Sequence, residues 1–177
     1  VRIGRLVVRL GLGRAMRTDF LQLRYGRGGV IEPFLARLYL EQNPRSVYWI
    51  SPWITHLEFS TGNTKRLLGR LRQTGARLIV ITREPEAVSE HEQFMFDAQA
   101  IAQASIYYIP NLHAKFYIAE TLQGRYALLG SANMYQWSKD SYEIGIVIEA
   151  RGDGEVLVNR LEELTIDLRS SFSRHKH

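Results

Sequence analysis

The sequence predicts an α/β fold: a mixed, mainly parallel central sheet sandwiched by helices. Three observations lead there. Apolar runs of strand length alternate with helical stretches from residue 31 to residue 109. Arg77–Thr82 carries Leu78, Ile79, Val80 and Ile81 without a break, which marks a strand covered on both faces. Three further strand-length runs then follow at short spacing, and an amphipathic stretch closes the chain. Alternation, then adjacent strands, then a last helix implies helices packed on both faces of one mixed sheet.

Residues 1–10 place Ile3, Leu6, Val7 and Leu10 at helical spacing, with Arg2, Arg5 and Arg9 on another face. Gly4, Gly11 and Gly13 weaken a helix there. The stretch reads as a terminal element packed on its own domain or a second subunit, the alternative being a basic anchor for lipid or nucleic acid. Residues 24–29 (RYGRGG) form a Gly-rich basic turn, lacking the Lys and Ser/Thr of a phosphate-binding loop. A helix is expected over 31–42, with Pro33 tolerated in its first turn and Asn43-Pro44 stopping it. A strand over 47–50 ends at Ser51-Pro52, and a helix over 63–73 ends at a glycine cap, Gly75. The strand at 77–82, a helix over 85–104 and a strand over 105–109 follow. Strands are expected over 112–118, 126–129 and 144–148, the first two joined as a hairpin around 120–124. The closing helix, 153–170, has Val156, Leu157, Leu161, Leu164 and Leu168 as its apolar stripe. No repeat or linker interrupts this order. One domain over 1–177 is expected: an N-terminal extension (1–30), a catalytic core (47–148) and a C-terminal helix (153–171).

Composition narrows the function classes. The chain has 177 residues, 45% of them hydrophobic, enough for one ordinary core. Lys plus Arg number 23 against 18 for Asp plus Glu, a formal charge of +5, which favours polyanionic partners such as nucleic acid or anionic lipid. With no cysteine, disulfides, thiol catalysis and Cys-ligated zinc are excluded, and a cytoplasmic location is expected. No apolar run approaches the roughly 20 residues that span a bilayer.

The chemistry-bearing pattern is His113-Ala114-Lys115, then Gly130-Ser131-Ala132-Asn133, then Glu143. In a strand over 112–118, His113 and Lys115 share one face while Ala114, Phe116 and Ile118 share the other, so a nucleophile and a fixed cation stand opposite a core face. A neutral imidazole can attack phosphorus and form a phosphohistidine. Lys115, Ser131 and Asn133 can hold the non-bridging oxygens, and Glu143 can orient the imidazole through its other ring nitrogen. Fixed cations and donors of this kind do the work of a metal, so no cofactor is called for.

His113-x-Lys115, with Glu120 five positions after the lysine and Gly130-Ser131-x-Asn133 beyond, resembles the HKD signature of the phospholipase D superfamily. Glu143 matches a downstream carboxylate found in many members, and residues 49–54 (WISPWI) look like the family's opening strand. The resemblance covers 47–148. Glu120 stands where Asp is usual, and the gap to Gly130 is slightly longer than the common spacing. The resemblance implies a phospholipase D-like fold and a structural role for Glu120. It also implies that a chain with a single motif pairs with an identical copy. A second, protonated imidazole must act as acid on the leaving group, and His56, His91, His175 and His177 lack a lysine at the motif spacing. The expectation is an obligate homodimer with one composite site.

The substrate most in keeping with the single motif, small size and basic charge is nucleic acid, DNA or RNA, cut as by the small dimeric bacterial endonucleases of the superfamily. Arg24, Arg27, Arg66, Arg70 and Arg72 are candidates to track a phosphate backbone. The alternatives are a lipid phosphodiesterase or phosphatidyl transferase, and a non-catalytic nucleic-acid-binding module of a larger defence or restriction system. His56 is expected in a surface or loop-packing role. Trp53, Tyr135 and Trp137 have two readings: they flank the cleft and stack on bases, or they pack in the core.

Overall fold

The computed structural model describes residues 21–27, 30–135, 142–151 and 153–174. Its elements, in chain order, are β1 (Leu21–Arg27), α1 (Glu32–Leu40), β2 (Pro44–Ile50), β3 (Glu58–Phe59), β4 (Gly62–Asn63), α2 (Thr64–Thr74), β5 (Arg77–Thr82), α3 (Glu90–Ala102), β6 (Ser105–Tyr108), β7 (Phe116–Thr121), β8 (Gly124–Gly130), β9 (Tyr142–Glu149) and α4 (Asp153–Arg174). The N-terminal amphipathic stretch, Trp137 and His175 to His177 lie outside the described residues.

Seven strands form one sheet in the order β1-β9-β8-β7-β2-β5-β6, and β3 pairs with β4 alone. Pairing is parallel at β2/β5 and β5/β6 and antiparallel at the other four joins. Five of the seven strands still run one way, with β7 and β9 against them. The sheet is thus mixed as expected, but its parallel pairing is confined to the half built by helical crossovers. Short connections permit only antiparallel neighbours.

Two cores confirm the sandwich. One face of the sheet packs Val47, Trp49, Tyr117, Tyr126 and Leu128 with Phe34, Leu38, Leu68 and Phe94 of α1, α2 and α3. The other packs Ile50, Ile79, Ile81, Ile118 and Ile148 with Val158 of α4. No described helix is long and apolar enough to cross a membrane.

Several element boundaries depart from the sequence reading. Residues 24–27, expected in a turn, instead continue an edge strand from Leu21 that pairs antiparallel with β9; Leu21, Leu23 and Tyr25 carry the two-residue alternation in the sequence. β2 begins at Pro44, a residue tolerated at a strand's first position. α3 begins at Glu90 because Ser89 caps it: its Oγ accepts from Glu92 N at 3.1 Å, while the Glu92 carboxylate takes Val88 N at 2.6 Å. On α4 the buried line runs through Val158, Leu161, Thr165 and Leu168, leaving Val156 (61% exposed) and Leu164 (41%) outside. Two of the five apolar residues expected on the stripe therefore fall off the face that packs. The Gly75 cap is found as expected, at φ 70°.

β7 starts at Phe116, so His113 and Lys115 lie in the segment leading into the strand and not within it. After Pro110 the chain turns, with Leu112 N on Ile109 O at 3.2 Å, and the ladder resumes only where Lys115 O accepts Gly130 N at 3.3 Å.

Candidate active site

The carboxyl ends of β2, β5 and β8 and the amino ends of β7 and β9 lie along one edge of the sheet. Open α/β sheets build their sites at such an edge. The motif residues converge there.

His113 is exposed, and its Nε2 lies 2.9 Å from Arg83 Nη2. A guanidinium only donates, so Nε2 must offer its lone pair and the ring proton sits on Nδ1. Arg83 is the first residue after β5. Its Nε donates to Leu112 O at 2.9 Å, and its Cζ stands 4.7 Å from the Trp53 ring centroid. Lys115 Nζ donates to His113 O at 3.0 Å, leaving two ammonium hydrogens for a substrate.

The Gly130-Ser131-Ala132-Asn133 segment leaves the end of β8 and is pinned on both sides. The buried Tyr117 hydroxyl donates to Ala132 O at 2.9 Å, and burial pushes that phenol's pKa well above its ordinary value. Thr55 N bonds Met134 O at 2.7 Å. Asn133 Oδ1 lies 3.1 Å from Ser51 Oγ, which is also 2.9 Å from Trp53 O, so the segment after β2 fixes the amide. Ser131 Oγ donates to the Glu143 carboxylate and accepts Ile144 N at 3.1 Å. Glu143 is therefore engaged with Ser131, and the imidazole it was expected to orient is held by Arg83 instead. Glu120 lies at the far end of β7, opposite Ser46 and Arg125.

A cavity of about 610 Å³ opens beside these groups, lined by Trp53, Arg83, His91, Asn133 and Tyr135, with Glu84, Glu86 and Glu90 on its acidic side. Trp53 is 44% exposed, and it and Tyr135 line the cleft rather than the core, the first of the two readings. His91 is not available for chemistry. Its Nδ1 faces Ile54 N at 3.4 Å, its Nε2 faces Thr82 Oγ1 at 3.2 Å, and burial lowers its pKa to about 4. His56 is tied to Thr64 Oγ1 at 3.0 Å and to Asp97 Oδ2 at 2.9 Å, the packing role expected of it. Burial raises the Asp97 pKa, but Lys65 and His56 outweigh it and hold the carboxyl below its ordinary value.

No family model matches the chain, and no curated protein matches its sequence. Solved structures do match. The phospholipase D family member Nuc from Salmonella typhimurium superposes with a TM-score of 0.59 at 13% identity, covering 86% of this chain and 94% of Nuc. The fold is that of the phospholipase D family. NucT from Helicobacter pylori gives 0.55 at 13% identity, over 81% of this chain and 92% of that one. Phosphatidylserine synthase from Haemophilus influenzae gives 0.55 at 15% identity, over 83% of this chain but 38% of that protein.

Within this phospholipase D fold, sequence reasoning missed Arg83 and Ser51. Both directly follow strands that run to the site edge, and that position was the available signal. Of the arginines chosen instead, Arg24 and Arg27 lie on β1, Arg27 opposite Tyr142 at the site edge, while Arg70 and Arg72 sit elsewhere. Arg70 donates to Glu41 O at 3.0 Å and Arg72 bonds Gln103, on a helix that ends at the opposite edge, where β5 begins.

Proposed function

We propose that this protein is a metal-independent phosphodiesterase that cuts nucleic acid through a phosphohistidine intermediate, at a site completed by a second copy of the chain. The observation that carries the reading is an exposed imidazole offering its Nε2 lone pair, bordered by Lys115 and Arg83, with the Asn133 segment at the same edge. The neighbouring imidazoles support the dimer. An acid on the leaving group must carry a proton near neutral pH. His91, held neutral by burial, does not, and His56 faces Asp97 away from the cavity. Among the described residues no other histidine serves, so in this reading the acid is His113 of the partner subunit.

The Nε2 lone pair forms a bond to phosphorus as the P–O bond to the leaving group breaks, and that oxygen takes its electron pair and a proton from the partner's imidazolium. Water then attacks phosphorus, giving its proton to the partner's neutral imidazole, and the N–P electron pair returns to His113. Lys115 and Asn133 hold the non-bridging oxygens meanwhile. Glu143 positions Ser131.

A second reading, lipid phosphodiester turnover, is favoured by one observation. Leu129 (41%), Tyr142 (79%) and Ile144 (55%) are exposed around Ser131 and Glu143, an apolar rim suited to a bilayer or to a second subunit. Incubating the protein in excess EDTA with DNA, RNA, or phosphatidylcholine and cardiolipin vesicles separates the readings. Nucleic-acid cleavage that survives chelation and vanishes in His113→Ala is the expected result. Cleavage abolished by EDTA overturns the metal-free reading, and lipid turnover alone selects the second. Binding without turnover, unchanged in His113→Ala, identifies a non-catalytic module.

A further inference from the structure

We propose that Arg83 is both a cap on the His113 nucleophile and a phosphate ligand: it occupies the Nε2 lone pair at rest, and the incoming phosphodiester draws it off. The proposal rests on the phosphodiesterase reading for its second half only. Its first half is geometric. The 2.9 Å contact between Arg83 Nη2 and His113 Nε2 uses the lone pair that nucleophilic attack requires. A lone pair committed to a hydrogen bond cannot also bond phosphorus, so the guanidinium must leave before chemistry.

A phosphodiester supplies the reason for it to leave. Hydrogen bonds from guanidinium to an anionic oxygen are roughly twice as strong as those to a neutral acceptor. Arginine's planar fork suits phosphate bidentately. Among the described residues Arg83 engages only Nε, with Leu112 O, and one Nη2 hydrogen, and its other hydrogens are available to an anion. Those two contacts and the Trp53 ring, 4.7 Å from Cζ, hold the group at the junction of His113 and the cavity it lines. An anion entering the cavity meets Arg83 and uncaps the imidazole in one event, so the nucleophile is exposed only when its substrate is present.

A purely structural arginine and a cap make opposite forecasts. In Arg83→Met, carbethoxylation of His113 by diethylpyrocarbonate, followed by peptide mass spectrometry, should run about tenfold faster than in wild type. Oligonucleotide cleavage should fall about a hundredfold. The affinity for inorganic tungstate, by titration calorimetry, should drop at least about tenfold. Arg83→Lys, which keeps the charge but not the fork, should fall between on all three and serves if the methionine variant does not fold. Unchanged or slower His113 modification overturns the cap. Unchanged tungstate binding, or unchanged cleavage by an active wild type, overturns the phosphate role. A wild type that cleaves nothing sinks the phosphodiesterase reading, and modification rate and tungstate binding still decide the cap and the anion contact.

Discussion

Two histidines, one lining the cavity and the other held by Arg83 beside it, show how environment sorts one side chain into opposite roles. His113 is exposed and touches the fold through Arg83 Nη2, so it contributes little packing. Replacing it with alanine should lower cleavage by roughly 10³-fold or more, while the melting temperature moves by no more than a few degrees. A large fall in melting temperature would mean the ring is a structural strut. His91 is the converse, 6% exposed with both nitrogens facing protein groups. Burial takes its pKa from the ordinary 6.5 to about 4. Between those values the unfolded chain binds a proton that the folded chain refuses. Stability from this group is thus whole above pH 6.5, declines as pH falls, and levels off below 4, for a total of about 3 kcal/mol. Urea unfolding at pH 7.5 and 4.5 should show wild type losing more stability than His91→Gln by about that amount; equal losses would refute the assignment.

At the scale of elements, the β8–β9 pair sets the geometry of Ser131, and at Gly130 it leaves no room for a side chain. A Cβ added there would sit 2.5 Å from Ile144 O and 2.9 Å from Gly145 Cα, both backbone atoms that cannot swing aside. Gly130→Ala should therefore spread the strands, costing about 1–3 kcal/mol by overpacking. It should also disturb the Ser131 bonds to Ile144 and Glu143, so that cleavage falls more than the stability loss explains. Thermal melts and assays at a temperature where the variant stays folded would measure the two effects separately. This segment was legible in the sequence because its chemistry is contiguous: glycine, serine and asparagine stand within four positions at a strand end. The helix starts were less so. Residues 85–89 share the composition of α3, and only the Ser89–Glu92 capping pair, which is local and small, marks where the helix begins. The α4 stripe was misread for a related reason: Thr165 packs on the buried face, so hydrophobicity alone rotates the helix by a residue.

On the scale of the whole molecule, what the sequence concealed is what topology assembles. Arg83 and His113 are 30 residues apart and meet because β5 and β7 flank β2 at one edge of the sheet. No periodicity in either segment carries that information. The same holds for Ser51 on Asn133, 82 residues apart. The proposed second subunit would extend this furthest, because neither His91 nor His56 is placed to supply the acid that the proposed mechanism needs. A composite site makes a quantitative forecast about mixtures. If both imidazoles of one site must be intact, a dimer holding one His113→Ala chain is inactive, and activity follows the square of the wild-type fraction under free exchange. Wild type diluted into a ninefold excess of the alanine variant, with time allowed for subunits to exchange, should then lose about tenfold of its activity per wild-type chain. Dilution into the same excess of an unrelated protein should leave it unchanged. Should each wild-type chain keep its full rate among alanine partners known by sedimentation to have mixed, the acid resides within one chain and the shared site is wrong. The exposed Leu129, Tyr142 and Ile144 offer the matching structural arm: if they form the proposed interface, Ile144→Asp should yield a monomer and abolish cleavage, whereas a monomer-sized species with full activity would tell against that interface as well.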